Sequence, residues 1–177
     1  MRTGLKGISL LEVLVVVAVV SLLAGMVVVI TDKLKQRAEK VVCINQMRTL
    51  HSSFVAYVED VGHWPQLPED LAGFDSNDFY QFWVKELDPY GASQVTWLCP
   101  THKRKLAPQM RAAAAKPGGG ELFYGSYAPT VFDKRANTPF RWNQPWIIER
   151  GDFHGSGAHM LMPDGSIRGT QEAFYGR

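Results

Sequence analysis

Residues 8–30 constrain this chain more than any other stretch. Only Ser9, Glu12, Ser21 and Gly25 interrupt an otherwise apolar run. As a helix at about 1.5 Å per residue the run extends roughly 35 Å, enough for a hydrocarbon core of about 30 Å. A secretory signal peptide has a shorter apolar region, about 7–15 residues, closed by a small-residue cleavage site. Here Ala24-Gly25-Met26 lies inside the run rather than after it. The segment Val15-Val16-Val17-Ala18-Val19-Val20 is apolar on every side, and a small domain has no core able to enclose such a helix. The sequence therefore predicts a transmembrane helix over 8–30.

The remainder is polar enough to leave the whole chain with an ordinary composition, 46% hydrophobic and 20% charged. Its 177 residues suffice for one compact domain of usual size. That composition excludes a disordered, collagen-like or disulfide-dense chain. Nineteen basic residues against seventeen acidic ones give a net charge of +2. With no basic stripe interleaved with aromatics, nucleic acid is excluded as a partner.

Glu12 is the anomaly of the apolar run. A carboxylate there is costly unless paired, although the positive N-terminal end of a helix would accommodate it. Its surroundings read Lys6-Gly7-Ile8-Ser9-Leu10-Leu11-Glu12-Val13. This pattern resembles the processing site of type IV prepilins and type II secretion pseudopilins: a short basic leader ending in Gly, an apolar residue, Glu as the fifth mature residue, and about twenty apolar residues. The resemblance implies that residues 1–7 are a leader, that prepilin peptidase cuts after Gly7, and that Ile8 becomes an N-methylated terminus. Phe is commoner than Ile at that position. It further implies that Glu12 of one subunit pairs with the Ile8 amine of the next, setting the register of a filament. Arg2 and Lys6 in the leader carry the whole excess of positive charge.

The resemblance also sets topology. Lys33, Lys35, Arg37 and Lys40 follow the run, and a count of basic residues would place that side in the cytoplasm. The leader implies the reverse, since its peptidase acts at the cytoplasmic face. The expected location is thus a bacterial inner membrane, single-pass, with the head in the periplasm, and then a pseudopilus or surface filament. The expected partners are prepilin peptidase/methyltransferase, other pilin or pseudopilin subunits, an inner-membrane assembly platform and membrane lipid.

No proline precedes Pro65. Beyond the run, Leu34, Ala38, Val41, Ile44, Met47, Leu50, Phe54, Tyr57 and Val61 recur at steps of three and four, which is one face of a helix. Gly62 and Pro65 are stop signals. One helix of roughly 80 Å is predicted from about Ser9 to Val61, with 31–62 an amphipathic continuation and 63–177 a globular head. The expected fold class is α+β, a pilin-like lollipop whose long N-terminal helix packs on a small antiparallel β-sheet. The helix-breaking Pro that many type IV pilins carry in the first half of this helix is absent.

All ten prolines lie in the head. Residues 78–87 read as a short helix or turn-rich segment and 95–99 as a strand before Pro100. Residues 111–116 read as a frayed helical turn before a glycine-rich loop, and 124–128 and 146–149 as strands. Asp164-Gly165 between short apolar stretches predicts a type I′ hairpin turn, with arms at 159–163 and 166–169. Nine residues separate His154 from Asp164-Gly165. Together with the leader, the Cys43-Ile44-Asn45-Gln46-Met47-Arg48 patch, Leu98-Cys99-Pro100 and Gly125-Ser126-Tyr127, this order resembles the His-x9-Asp-Gly class of prepilin-type proteins over nearly the whole chain.

His154 and Asp164 have the residue types of a base and its orienter. No nucleophile accompanies them, because Ser156 between two glycines lacks the strand–turn–helix context of a hydrolase serine. The chain is therefore read as no enzyme, with His154 hydrogen-bonding Asp164 to lock the last hairpin. Calcium is a further reading by resemblance to major pseudopilins, with Asp133, Asp152 and Asp164 as ligands, but their spacing matches no known calcium loop. Cys43, Cys99 and His102 are too scattered to define zinc. The expectation is no cofactor and no metal. Cys43 and Cys99 are either a disulfide tying head to stalk or two buried thiols. Trp142 and Trp146 are either core or part of a carbohydrate-contacting surface.

The function expected by resemblance is a structural subunit of a type II secretion pseudopilus or type IV-like filament, polymerised through its N-terminal helix. The alternative is a membrane-tethered binding module that recognises an exported protein or polysaccharide.

Overall fold

The computed structural model describes residues 9–71, 77–114, 125–135, 137–141, 143–155 and 157–170. Gly7 and Ile8, the expected processing site, lie outside the described residues, as do Ser156 and Trp142. The chain divides into two compact units, residues 1–38 and 39–177.

Helix α1 runs over Leu10–Val61, close to the bounds read from the sequence. Gly62 ends it: its φ is +83°, and its amide donates to the Val58 carbonyl at 2.9 Å. This is the left-handed C-cap that glycine adopts without steric cost. In the first unit the side chains of residues 10–26 are exposed throughout, Leu10 at 83%.

The transmembrane expectation is corrected. Among the described residues no helix is long and apolar enough to cross a membrane. Lys33, Lys35 and Arg37 lie further along α1. The inner-membrane, single-pass location with a periplasmic head falls with the span on which it rested.

The second unit mixes helices with a small four-stranded sheet and is α+β. Helix α2 covers Asn77–Leu87, α3 Pro100–Ala114 and the short α4 Thr138–Arg141. Strands β1 (Tyr127–Pro129), β2 (Ile147–Glu149), β3 (His159–Leu161) and β4 (Ile167–Gly169) form an antiparallel meander in the order β1-β2-β3-β4. The register pairs Tyr127 with Glu149, Ile147 with Leu161, and His159 with Gly169.

Cys43, Met47, Leu50, Phe54, Tyr57 and Val58 form the buried face of α1 in this unit, while Leu34, Val41 and Val61 are exposed. The expected stripe thus holds at Met47, Leu50, Phe54 and Tyr57 and departs from the reading at its ends, where Cys43 and Val58 are buried and Val41 and Val61 are not. Phe54 is its centre. Its ring stacks on Trp64 with centroids 4.2 Å apart, and the rings of Trp83, Trp97 and Trp146 meet it edge-on. Trp146 is fully buried, hence core, and its indole N–H donates to the Pro139 carbonyl at 2.7 Å.

Three local expectations change. Residues 94–97 form a 3₁₀ turn rather than a strand. Pro100 does not stop an element but opens α3, the first helical position being one where proline loses no hydrogen bond. The last hairpin turn is not type I′. Gly165 has φ +77° and no non-glycine residue has positive φ among those described. The Gly165 amide donates to the Met162 carbonyl, and the Met162 amide to the Ser166 carbonyl. Pro163 fixes a negative φ, so the loop is a type I turn followed by a left-handed glycine.

Candidate functional site

Glu12 sits exposed in the first turn of α1. Its amide donates to the Ser9 carbonyl at 3.0 Å, so the carboxylate lies at the positive end of the helix, where negative charge is favoured. Around it the apolar side chains of residues 10–26 are uncovered.

The second unit holds a denser group of chemically capable side chains. Cys43 on α1 and Cys99, just before α3, are joined by a disulfide with Cα atoms 5.2 Å apart. Of the two readings of these cysteines, the structure has the bridge. His154 Nε2 lies 3.4 Å from Cys99 Sγ and 3.8 Å from Glu149 Oε1. Glu149 Oε2 accepts from the His159 amide at 3.0 Å and from His159 Nδ1 at 2.7 Å. The side chains of Glu149 and His154 are almost wholly enclosed. Burial, the largest cause, holds His154 below the ordinary histidine range, with the neighbouring Glu149 opposing it and His159 adding to it. Glu149 Oε1 is buried and has no hydrogen-bond partner.

Side-chain hydrogen bonds and an ion pair hold together the elements that carry this group. Gln46, on the patch that begins at Cys43, donates from Nε2 to the carbonyls of Val95 and Leu98 at 3.0 and 3.2 Å. Its Oε1 accepts from the Tyr127 hydroxyl at 2.9 Å. Burial raises the Tyr127 pKa, keeping the hydroxyl protonated as a donor. Thr101 Oγ1 donates to Glu39 at 2.7 Å, and Arg104 forms an ion pair with the same carboxylate. The start of α3 is thus fastened to α1 on both sides of the disulfide.

The structure does not join His154 to Asp164. Asp164 is 63% exposed and caps its own turn, its Oδ1 accepting from the Ser166 amide at 2.9 Å. His154 is instead drawn to Cys99 and Glu149. Gly165 packs against the His51 ring: an added Cβ would lie 3.3 Å from His51 Cε1. His51 in turn stacks on Trp146 and has Nε2 3.1 Å from the Pro163 carbonyl. The hairpin is therefore held to α1 by His51.

Asp133 and Asp152 also serve local turns, accepting from the Arg135 and Gly155 amides respectively. Among the described residues, no cluster of metal-ligating atoms includes Asp133, Asp152 or Asp164. His102 likewise stands apart from the cysteines. Its Nδ1 is 2.9 Å from Ser126 Oγ and its ring stacks on Phe153 at 4.2 Å. Burial, with repulsion from Arg150 and Lys105, lowers its pKa to about 4.

Glu149 and His159 were not legible as site residues, because a carboxylate and an imidazole in short strands read as outward-facing. One signal was available: Ile147 and Glu149 alternate about Ile148, so they share a face, and Ile147 is the inward one.

No family model matches the chain, and no curated protein or solved structure is significantly similar to it.

Proposed function

We propose that the chain is a pilin-like structural subunit of a type II secretion pseudopilus or type IV-like filament, processed after Gly7 and polymerised through the start of α1. The observation that carries this reading is the uncovered apolar surface of residues 10–26, interrupted near its start by the single carboxylate of Glu12. Apolar patches of that extent require cover, and the cover proposed is the same segment of neighbouring copies. Removal of the leader creates an amine at Ile8, four positions before Glu12. Within a bundle of apolar helices that amine and the carboxylate of an adjacent copy attract strongly, because the medium screens them little. The leader motif supplies the amine, and the position of Glu12 in the first turn supplies its partner.

The test is mass spectrometry of the N-terminus of the protein isolated from its native cells. The expected chain begins at N-methylated Ile8, and an intact Met1 overturns the reading. In the same cells Glu12→Ala is processed normally but fails to enter filaments. Assembly at the wild-type level would remove Glu12 from the mechanism.

A further inference from the structure

The disulfide is bordered by two more metal-ligating side chains. One ligand atom each from Cys43, Cys99, Glu149 and His154 lies within 4.8 Å of every other. These residues come from α1, the turn before α3, strand β2 and the loop before β3, so tertiary packing rather than a local motif gathers them. Within the group, Glu149 Oε1 is buried without a hydrogen-bond partner, which is unusual for a carboxylate oxygen. Its other oxygen is held by His159, so Oε1 is fixed in direction and aimed at His154 Nε2.

We propose that the dithiol form of this unit is a zinc site with Cys43 Sγ, Cys99 Sγ, His154 Nε2 and Glu149 Oε1 as its four ligands. Two sulfurs, one imidazole nitrogen and one carboxylate oxygen are a donor set that suits zinc better than calcium or magnesium. A tetrahedral ion with bonds of about 2.0–2.3 Å keeps its ligands about 3.3–3.8 Å apart. His154 Nε2 already has both Cys99 Sγ and Glu149 Oε1 near that spacing. The two sulfurs separate once their bond is broken. His159, bonded to the second carboxylate oxygen, orients the Glu149 ligand as outer partners of metal ligands do.

The two forms interconvert by a balanced exchange. A dithiol reductant gives two electrons and two protons to the Cys43–Cys99 bond. The S–S bond breaks, two S–H bonds form, and the reductant leaves as its own disulfide. Zinc then displaces both thiol protons to solvent and takes the two thiolates, the His154 imidazole and the Glu149 carboxylate. In the return step an external disulfide accepts two electrons from the thiolates and two protons from solvent and leaves as a dithiol, so the Cys43–Cys99 bond reforms and the ion is released. The bridge and the metal are thus alternative ways of joining α1 to the rest of the unit.

The test uses the full chain, reduced with a dithiol, desalted without oxygen and titrated with cobalt(II) as a spectroscopic substitute for zinc. The expected result is one cobalt per chain, with the intense visible bands of tetrahedral coordination and a thiolate-to-cobalt charge-transfer band. The unreduced chain shows neither. Glu149→Gln and His154→Gln change the visible bands, and His159→Gln weakens zinc affinity about 10–100-fold, as loss of an outer partner does. His102→Gln leaves the spectrum unchanged. The proposal is overturned if the reduced chain binds no cobalt or gives only weak octahedral bands. It is also overturned if Glu149→Gln and His154→Gln both bind with the wild-type spectrum and affinity. Circular dichroism reports folding throughout, and a reduced chain that unfolds and is not refolded by the metal overturns it as well.

Discussion

Glu149 grips His159 at two points, its Oε2 lying 3.0 Å from the amide nitrogen and 2.7 Å from Nδ1. The pair sits at the end of the β2–β3 ladder, beyond the Ile148–Met160 step. Glu149 is 2% exposed and His159 7%, so water replaces neither bond if one partner is removed. Glu149→Ala leaves two buried donors without an acceptor, each a loss of about 1–3 kcal/mol. The expected cost is about 3 kcal/mol in urea unfolding followed by tryptophan fluorescence. Asp164→Ala, at an exposed turn, costs about 1 kcal/mol or less. The reverse ranking would show that the hairpin turn, rather than the strand pair, secures this end of the sheet.

The Cys43–Cys99 bridge closes a loop of sequence separation 56. A loop of that size restricts the unfolded chain by about 4 kcal/mol in the chain-entropy account. Reduction in the presence of a strong chelator is therefore expected to lower stability by about that amount. A loss below about 1 kcal/mol would mean that the reduced, unfolded chain already holds these segments together.

His102 makes stability depend on pH. Its folded pKa of about 4 lies below the ordinary value of 6.5. As pH falls through about 6.5 the unfolded chain takes up a proton that the folded chain refuses until about 4. The contribution is complete above 6.5, declines between 6.5 and 4, and levels off below. His102→Phe keeps a ring against Phe153 but removes the titration. Thermal midpoints measured at about pH 7 and about pH 4.5 should fall further for the wild type than for the variant. Equal falls would remove His102 as a source of the slope.

Gly125 is required by a neighbour rather than by its own backbone angles. A Cβ there would lie 2.2 Å from Tyr80 Cε1 and 2.4 Å from Cδ1, and Tyr80 is fully buried. Gly125→Ala must displace that ring, at an expected cost of about 1–3 kcal/mol. Gly125→Ala combined with Tyr80→Leu should recover part of the loss. No recovery would place the strain elsewhere.

Much of the scaffold was readable in the chain. The end of α1 followed from Gly62 and Pro65, the short α2 from its flanking turns, and the last hairpin from Asp164-Gly165. The error at that hairpin came from centring the turn on Asp164-Gly165: proline favours the second position of a type I turn, and the Gly165–Met162 hydrogen bond centres the turn on Pro163-Asp164. Helix α3 was hidden because Pro108 lies inside it and Pro100 was taken as a terminator. The apolar stripe of α1 was legible at Met47, Leu50, Phe54 and Tyr57 but not at Cys43, which the sequence ranks below Val41 and which is buried where it meets Cys99. The candidate metal group was not legible at all. Its four ligands are distant in sequence, and only the fold brings Glu149 and His154 to the two sulfurs. The expected membrane span is not borne out, since no helix among the described residues is long and apolar enough to cross a membrane.

Tension applied to the N-terminal end of α1 reaches Cys43 and there has two routes. It can run on through the peptide chain or cross the covalent link to Cys99. The link is far shorter, so residues 44–98, including the Phe54–Trp64 stack, carry no load while it is intact. What bears the strain is the stretch beyond Cys99: α3, the polar fastening of Thr101 and Arg104 to Glu39, and the sheet. A subunit pulled between this helix and its C-terminal half would thus yield beyond Cys99 first, and the part of the core built from residues between the two cysteines would be the last to feel the force.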